Sequence, residues 1–412
     1  MALEVIEAAA VIVDFLVVDL DDAPEPVHGV HQLRYAFLIG AEAFLIGAEQ
    51  LFQLAEAPLV LFGGIHLHVR PQFQGMRQSL QPLINRHAYS IVVARKVSPL
   101  EMQLDRLADL RKQPASPEGC AELIKNLAGK HNLPAAKAAR IAGEWGAAEL
   151  APQLVGAFDR FLVKPETTDK RCEAKIEILK ALCRFAYSSP GVFRRGIRHV
   201  QMEGAWGPPV DTAAPVRALS AMGLAQTHDP DALEEIVPLL LDKEVDARIG
   251  AVRAIAVSNR PGDTLLLRLK ALSGDQPEVL GECFAALLRC TPDRSIEFVA
   301  RFLDHTEEAI AEAAALALGD SRVEGAFDAL RAALERTRPR SVRRTLLLAI
   351  ALLRRENALD HLLALVRNAD EQTSEDAAAA LATYAEDPSI RERLEQARGA
   401  RLTRLSDTQS GR

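Results

Sequence analysis

Between Pro190 and Pro209 the chain gathers three arginines, a histidine, a glutamate and a tryptophan. The run is Pro190-Gly-Val-Phe-Arg-Arg-Gly-Ile-Arg-His199, followed by Glu203-Gly-Ala-Trp206-Gly-Pro-Pro209. Arg194, Arg195 and Arg198 offer planar, paired N–H donors, and Trp206 offers a stacking face; together these suit a carboxylate, a phosphate or a peptide. The same residues admit a purely structural role, in which Phe193 and Trp206 fill a gap in the fold and the arginines are solvated or paired. A second concentration of charge runs through Arg331, Arg336, Arg338, Arg340, Arg343, Arg344, Arg354 and Arg355 against the single Glu335. It is either a patch that steers an acidic partner or a solvated face. Without interleaved aromatics it has no platform for stacking bases.

Other chemistries find little support. His28/His31 and His66/His68 imitate metal-ligand spacing, but their host segment has no consistent period. Five cysteines, Cys120, Cys172, Cys183, Cys283 and Cys290, form no CxxC pair; Cys172, Cys183 and Cys283 sit on helical faces and read as small buried hydrophobes, which fits a reducing cytoplasm. No Ser/His/Asp or Cys/His signature, phosphate-cradling glycine loop or cofactor motif stands out. Net charge is −7, and residues 102–412 carry 43 basic and 45 acidic side chains. That balance argues against a nucleic-acid binder held by phosphate contacts. The apolar run Ala8–Leu20 is broken by Asp14 and Asp19, so no transmembrane span is expected.

What positions these residues is a repeat. Six segments align without gaps at spacings of 31 or 32: Val216–Leu224, Ala247–Ile255, Val279–Leu287, Ile310–Leu318, Val342–Ile350 and Thr373–Leu381. Two weaker copies, Leu133–Ile141 and Ala174–Leu182, precede them at spacings of 41 and 42. The ninth position is apolar in all eight copies, which predicts a buried stripe. Such a period means stacked helix pairs, none of which can bury its apolar face alone. In one unit Ile236, Leu239 and Leu240 form the first apolar face and Ile249, Val252 and Ile255 the second. In the next, Leu265, Leu266 and Leu269 are expected to face inward, and Asp275-Gln-Pro-Glu278 reads as a capping box. The insert carrying Arg194–Trp206 falls in the widest spacing.

The Asp in the turn, the Val/Ala-Arg that opens the second helix and the Ala-rich run to the ninth position resemble the HEAT-repeat family, in its short bacterial and phycobilin-lyase-like variety, over residues 119–397. Asp242 with Arg248 fits this pattern best; Arg217 and Arg343 also match, whereas Leu280, Ala311 and Ser374 depart from it. The resemblance implies an all-α, right-handed α-solenoid of about eight helix pairs, with a ladder of polar contacts between units. It also implies a non-enzymatic scaffold that binds a protein or peptide. A lyase-like activity towards a tetrapyrrole, or a glycosylase-like activity on DNA, are the alternatives on the same scaffold. Positions 2 and 4 of the register are expected to be exposed, among them Arg217, Arg248, Glu282, Arg343, Thr345 and Asp376. The partner-binding set is therefore Arg194, Arg195, Arg198, His199 and Trp206 with Arg217, Arg248, Arg343 and Arg344.

Three regions are expected. Residues 1–101 lack Lys apart from Lys96, lack Thr and Cys, and duplicate AFLIGAE at 36–42 and 43–49. They read as a stretch added upstream of a natural start at Met102, with a native extension or a true domain as alternatives. Residues 102–397 form the solenoid, and 398–412 are expected to be disordered.

Overall fold

The structure, a computed structural model, describes residues 98–410 except 205, 206, 259, 261 and 337. The helical unit starts at Ser98, four residues before Met102. Helix α1 (Pro99–Arg111) opens with a capping box: Ser98 Oγ accepts from the Glu101 N–H at 3.1 Å, and Glu101 Oε2 accepts from the Ser98 N–H at 2.7 Å. Pro99 sits at the first helical position, where a missing N–H costs nothing. The start signal Ser-Pro-Leu-Glu was present in the sequence and places the boundary ahead of the expected one.

Eight helix pairs follow. The first helices are α2 (Pro117–Ala128), α4 (Ala151–Phe161), α7 (Pro190–Ile197), α9 (Ala232–Ile236), α11 (Asp263–Ser273), α13 (Pro292–Ala300), α15 (Ala326–Leu334) and α17 (Glu356–Asn368). The second helices are α3 (Asn132–Trp145), α6 (Glu173–Arg184), α8 (Ala214–Gln226), α10 (Val245–Ser258), α12 (Pro277–Cys290), α14 (Glu308–Ser321), α16 (Arg340–Leu352) and α18 (Glu371–Leu381). Each second helix packs on the next, from α3 through α18, so the fold is an α-solenoid. All eight segments found by periodicity lie on second helices. Their ninth positions, Ile141, Leu182, Leu224, Ile255, Leu287, Leu318, Ile350 and Leu381, are all buried.

Small residues set the helix spacing. A Cβ on Gly250 would lie 2.4 Å from Ala218 Cα, and one on Gly319 would lie 2.4 Å from the Ala349 carbonyl oxygen. The backbones of consecutive second helices thus touch where the register places glycine or alanine. The final helix α19 (Pro388–Ser410) packs on α17, and Arg401 and Arg404 reach back to the Ala369 carbonyl and to Asn368. The stretch 398–410, expected to be disordered, therefore continues a helix. Its arginines satisfy carbonyl groups at the end of α17.

Two readings of single units change. Leu265 and Leu269 point to solvent, while the buried face of α11 is Asp263, Leu267, Lys270 and Ala271. Leucines at 265, 266, 267, 269 and 272 cover more than one face, so periodicity alone could not choose between them. Asp275 is also no cap: its carboxylate is taken by Arg248 and Lys270, and α12 starts without a side-chain cap at Gln276.

Candidate functional site

The two wide spacings are two inserts, and they sit against each other. In the second unit the extra residues form α5 (Pro165–Thr168) and a tight turn, where Arg171 and Cys172 take left-handed backbone angles, φ 59° and 57°. In the third they form a two-stranded ribbon between α7 and α8, β1 (Met202–Glu203) antiparallel to β2 (Val210–Asp211). Left-handed angles cost an ordinary residue roughly 1–2 kcal/mol. Here the ribbon helps to hold them, since Glu203 Oε1 accepts from the Arg171 N–H at 2.7 Å.

Beneath the inserts lies a buried polar core that sequence reasoning missed. Gln201, fully buried, donates from Nε2 to the Asp169 carbonyl at 2.9 Å and accepts at Oε1 from Cys172 Sγ at 3.2 Å. The Asp169 carboxylate caps α6 through the Ala174 and Lys175 N–H groups and lies 3.0 Å from Lys175 Nζ, with both side chains fully buried. A buried pair of this kind fixes geometry more than it adds stability, because each charge has lost its water. Burial pushes the Cys172 thiol up to about 11, so it is not a ready nucleophile. Nothing in the sequence marked Gln201, and Asp169 caps α6 from five residues before Ala174, farther back than an N-cap residue stands.

Over this core opens a cleft of about 380 Å³ lined by Leu162, Arg194, Arg195, Arg198 and His199. Four of the five residues predicted in the insert meet here; the fifth, Trp206, lies outside the described residues. Helix α7 presents the three guanidiniums within little more than one turn, while its opposite face buries Phe193 against Gly223. The structural role foreseen for Phe193 and the clustering of the arginines are thus two faces of one helix. Each guanidinium already has a carboxylate from a neighbouring unit. Arg195 bonds Asp159 at 2.8 Å, Arg194 bonds Asp229 at 3.0 Å, and Arg198 reaches Glu235 at 2.5 Å. Arg194 is the most enclosed of the three: Asp231 also lies 3.8 Å from it, and its buried Nε, which makes no hydrogen bond, lies 3.9 Å from Glu235. Arg195 and Arg198 are solvent-exposed, so their pairs are worth little and exchange readily. Burial, which favours the neutral ring, holds His199 below the ordinary imidazole value against the opposing pull of its Gln201 hydrogen bond.

The other predicted residues are not part of this cleft surface. Arg217 and Arg248 are 4% and 8% exposed. Arg217 is held by Asp211 and Asp242, and its Nη1 also donates to the His199 carbonyl. Arg248 bonds Asp275 at 2.8 Å, together with the carbonyls of Asp242 and Lys243. The ladder therefore exists and runs forward: each arginine takes the carboxylate of the following unit, Arg217 while also holding Asp211 in its own turn and Arg248 while bonding only the carbonyl of Asp242 in its own. Arg343 is half-buried and donates to Thr373 Oγ1. Arg344 is exposed, 3.7 Å from Asp376, and Asp376 is mainly paired with Arg340. Glu282 meets Arg253, and Thr345 Oγ1 returns to the Ser341 carbonyl. Position 2 faces into the stack whether or not it carries an arginine, since Leu280, Ala311 and Ser374 are buried there too; it is position 7, with Arg253, Ala285, Leu316 and Ala379, that reaches solvent.

The arginine-rich stretch near 331–355 is a set of staples. Arg336 and Arg338 share Asp304, Arg340 takes Asp376, and Arg355 donates to the Arg322 carbonyl at 2.8 Å. These contacts span 32 to 36 residues, one repeat period. Among the described residues no group of three or more His, Cys, Asp or Glu is placed to hold a metal ion, and no helix is long and apolar enough to cross a membrane.

Residues 265–351 match the sequence model of HEAT repeats, so the chain carries HEAT repeats. No curated protein matches it. Among solved structures it is similar to an engineered protein at 19% identity, over 73% of this chain and 90% of that one, with a TM-score of 0.30. It is also similar to the complex of CpcE and CpcF of phycocyanin lyase from Nostoc sp. PCC7120, at 14% identity over 71% and 95% of the two chains, with a TM-score of 0.30. Human deoxyhypusine hydroxylase is a third, at 16% identity over 75% and 100%, with a TM-score of 0.23.

Proposed function

We propose that this HEAT-repeat chain is a non-enzymatic interaction scaffold that holds an acidic segment of a partner protein in the cleft beside α7. The observation that carries this reading is the convergence of Arg194, Arg195, Arg198 and His199 on one open cleft. The cleft lies over the inserts that interrupt an otherwise regular array. Fork-shaped donors at its mouth suit carboxylates, and the exposed partners Asp159 and Asp231 can be displaced by an incoming acidic chain at small cost. The neutral His199 and the half-buried Leu162 supply a floor without competing charge. The five cysteines are all free, which supports a reducing compartment such as the cytoplasm.

The test is fluorescence anisotropy with a labelled peptide of alternating Glu and Ala, against a Gln-for-Glu control peptide. Wild-type protein should prefer the acidic peptide. The Arg194→Ala/Arg195→Ala/Arg198→Ala variant should bind it at least about 10-fold more weakly, as expected when arginine anchors are lost. Equal binding by a variant with an unchanged circular dichroism spectrum overturns the assignment.

A further inference from the structure

His199 joins the cleft to the polar core beneath it, and its hydrogen bonds fix which ring nitrogen carries the proton. Gln201 Nε2 donates to the Asp169 carbonyl at 2.9 Å and to the Glu203 carboxylate, and both of these can only accept. The other end of the amide, Oε1, is therefore the acceptor that lies 3.2 Å from His199 Nε2. In the neutral ring the hydrogen sits on Nε2, and Nδ1 keeps its lone pair. Nδ1 has no hydrogen-bond partner among the described residues and is not sealed from solvent. Arg217 Nη1 holds the His199 carbonyl at 3.0 Å, so backbone and ring are both anchored. Of the residues that line the cleft, three are arginines charged at every working pH and one is a leucine; His199 alone titrates near neutrality.

Taking the cleft as the carboxylate site proposed above, we infer that His199 Nδ1 takes up a proton when an acidic segment enters, so that the cleft grips the segment more tightly as pH falls. Without a ligand carboxylate the surroundings favour the neutral ring. Burial opposes the charge most, and Lys175 of α6 and Arg217 of α8 add like charge; the Gln201 hydrogen bond and Asp211 of the ribbon pull the other way. On the cleft side stand Arg194, Arg195 and Arg198 of α7, held by Asp229, Asp159 and Glu235 in turn. A ligand carboxylate drawn in by these arginines favours the charged ring, and Nδ1–H then donates to it. Binding and protonation are reciprocal, so a ring that holds its proton better in the complex makes a tighter complex at lower pH. An opposite charge within about 4–6 Å moves a titrating group by about 1–3 pH units. The gain is absent well above the ordinary value of 6.5 and grows as pH falls through the raised value of the complex.

The experiment is fluorescence anisotropy of the full chain with the Glu/Ala peptide at about pH 7.5 and 5.5 and constant ionic strength. The peptide stays ionised at both, since glutamate titrates near 4.3. The wild type should bind about 5-fold or more tightly at the lower pH. His199→Gln, whose side chain bonds but cannot charge, should lose that gain. Two readouts on the wild type do not depend on the variant. Calorimetry near pH 6 in buffers of different ionisation enthalpy should show net proton uptake on binding. Imidazole nitrogen NMR should show one histidine, protonated at Nε2 when neutral, whose titration midpoint moves to higher pH with peptide. Failure of the peptide to bind at either pH overturns the carboxylate site and this coupling with it. Equal affinity at both pH values, binding without proton uptake, or a pH gain that persists in a folded His199→Gln overturns the coupling alone and leaves the carboxylate site standing.

Discussion

Arg217 grips Asp242 with two parallel hydrogen bonds, Nε to Oδ2 at 2.8 Å and Nη2 to Oδ1 at 2.9 Å, across the boundary between the third and fourth units. Its remaining nitrogen holds Asp211 at 2.7 Å, so one buried guanidinium joins the ribbon, its own unit and the next. Arg217→Ala leaves two largely buried carboxylates uncompensated and should cost about 3–5 kcal/mol, against about 0–1 kcal/mol for the exposed Arg344→Ala. Urea titrations of both variants check this. Equal losses would mean that the buried ladder is not what joins these units.

Gly319 belongs to the contact between α14 and α16, where an added Cβ would lie 2.4 Å from the Ala349 carbonyl oxygen and 2.7 Å from its Cα. The obstacle is backbone and cannot swing away. Gly319→Ala should therefore destabilise by about 1–3 kcal/mol, although alanine is the better helix former. Gly399 on α19 has nothing within 4 Å. Gly399→Ala should stabilise by up to about 1 kcal/mol. Thermal melts with the opposite order would place the close helix approach elsewhere.

The dependence on pH follows from groups held away from their ordinary values. Burial alone would raise Asp211, but the Ala213 and Gln201 N–H groups and Arg217 hold it below 3.8; at Asp275 burial is likewise outweighed by Lys270 and Arg248. Carboxylates with lowered folded values contribute fully above the ordinary range, and that contribution is lost as pH falls through the lowered values. Burial also lowers His199 and His361, so the unfolded chain gains protons first as pH drops through 6.5. The melting temperature should be highest near neutrality, decline gently below pH 6.5 and fall steeply below about pH 4. Maximum stability at acid pH would contradict this assignment.

The cysteines should divide into two reactivity classes. Burial pushes Cys183 and Cys283 up to about 12 and Cys172 up to about 11. Cys290 is exposed and Cys120 half-exposed, as is Cys183; burial raises Cys120 and Cys290 as well, but without the large shift that holds Cys183 protonated. A thiol-reactive disulfide reagent at pH 8 should label Cys290 and then Cys120 in the native protein. The other three should react only on unfolding, as peptide mapping would show. Early labelling of Cys172 would mean that the insert core opens readily.

Much of this molecule could be read from residue order, and the reason lies in the repeat. A ninth position that is apolar in every copy must be buried, because only stacking removes it from water; Ile141 through Leu381 bear that out. The same spacing showed that Arg194, Arg195, Arg198 and His199 belong to an interruption of the array, and they do meet at one cleft. Periodicity is blind to direction, however. It could not say that Arg217 and Arg248 reach forward to Asp242 and Asp275 and so are buried, because a salt bridge is chosen by the separation of two helices in space. Nor could it choose which leucines of α11 face the core. That choice was made by how α11 lies against α12 and its neighbours. Residue order determined the stacked helices and the place where their rhythm fails. Only the packing of one unit on the next decided which polar groups are consumed inside the stack and which apolar ones are left facing solvent.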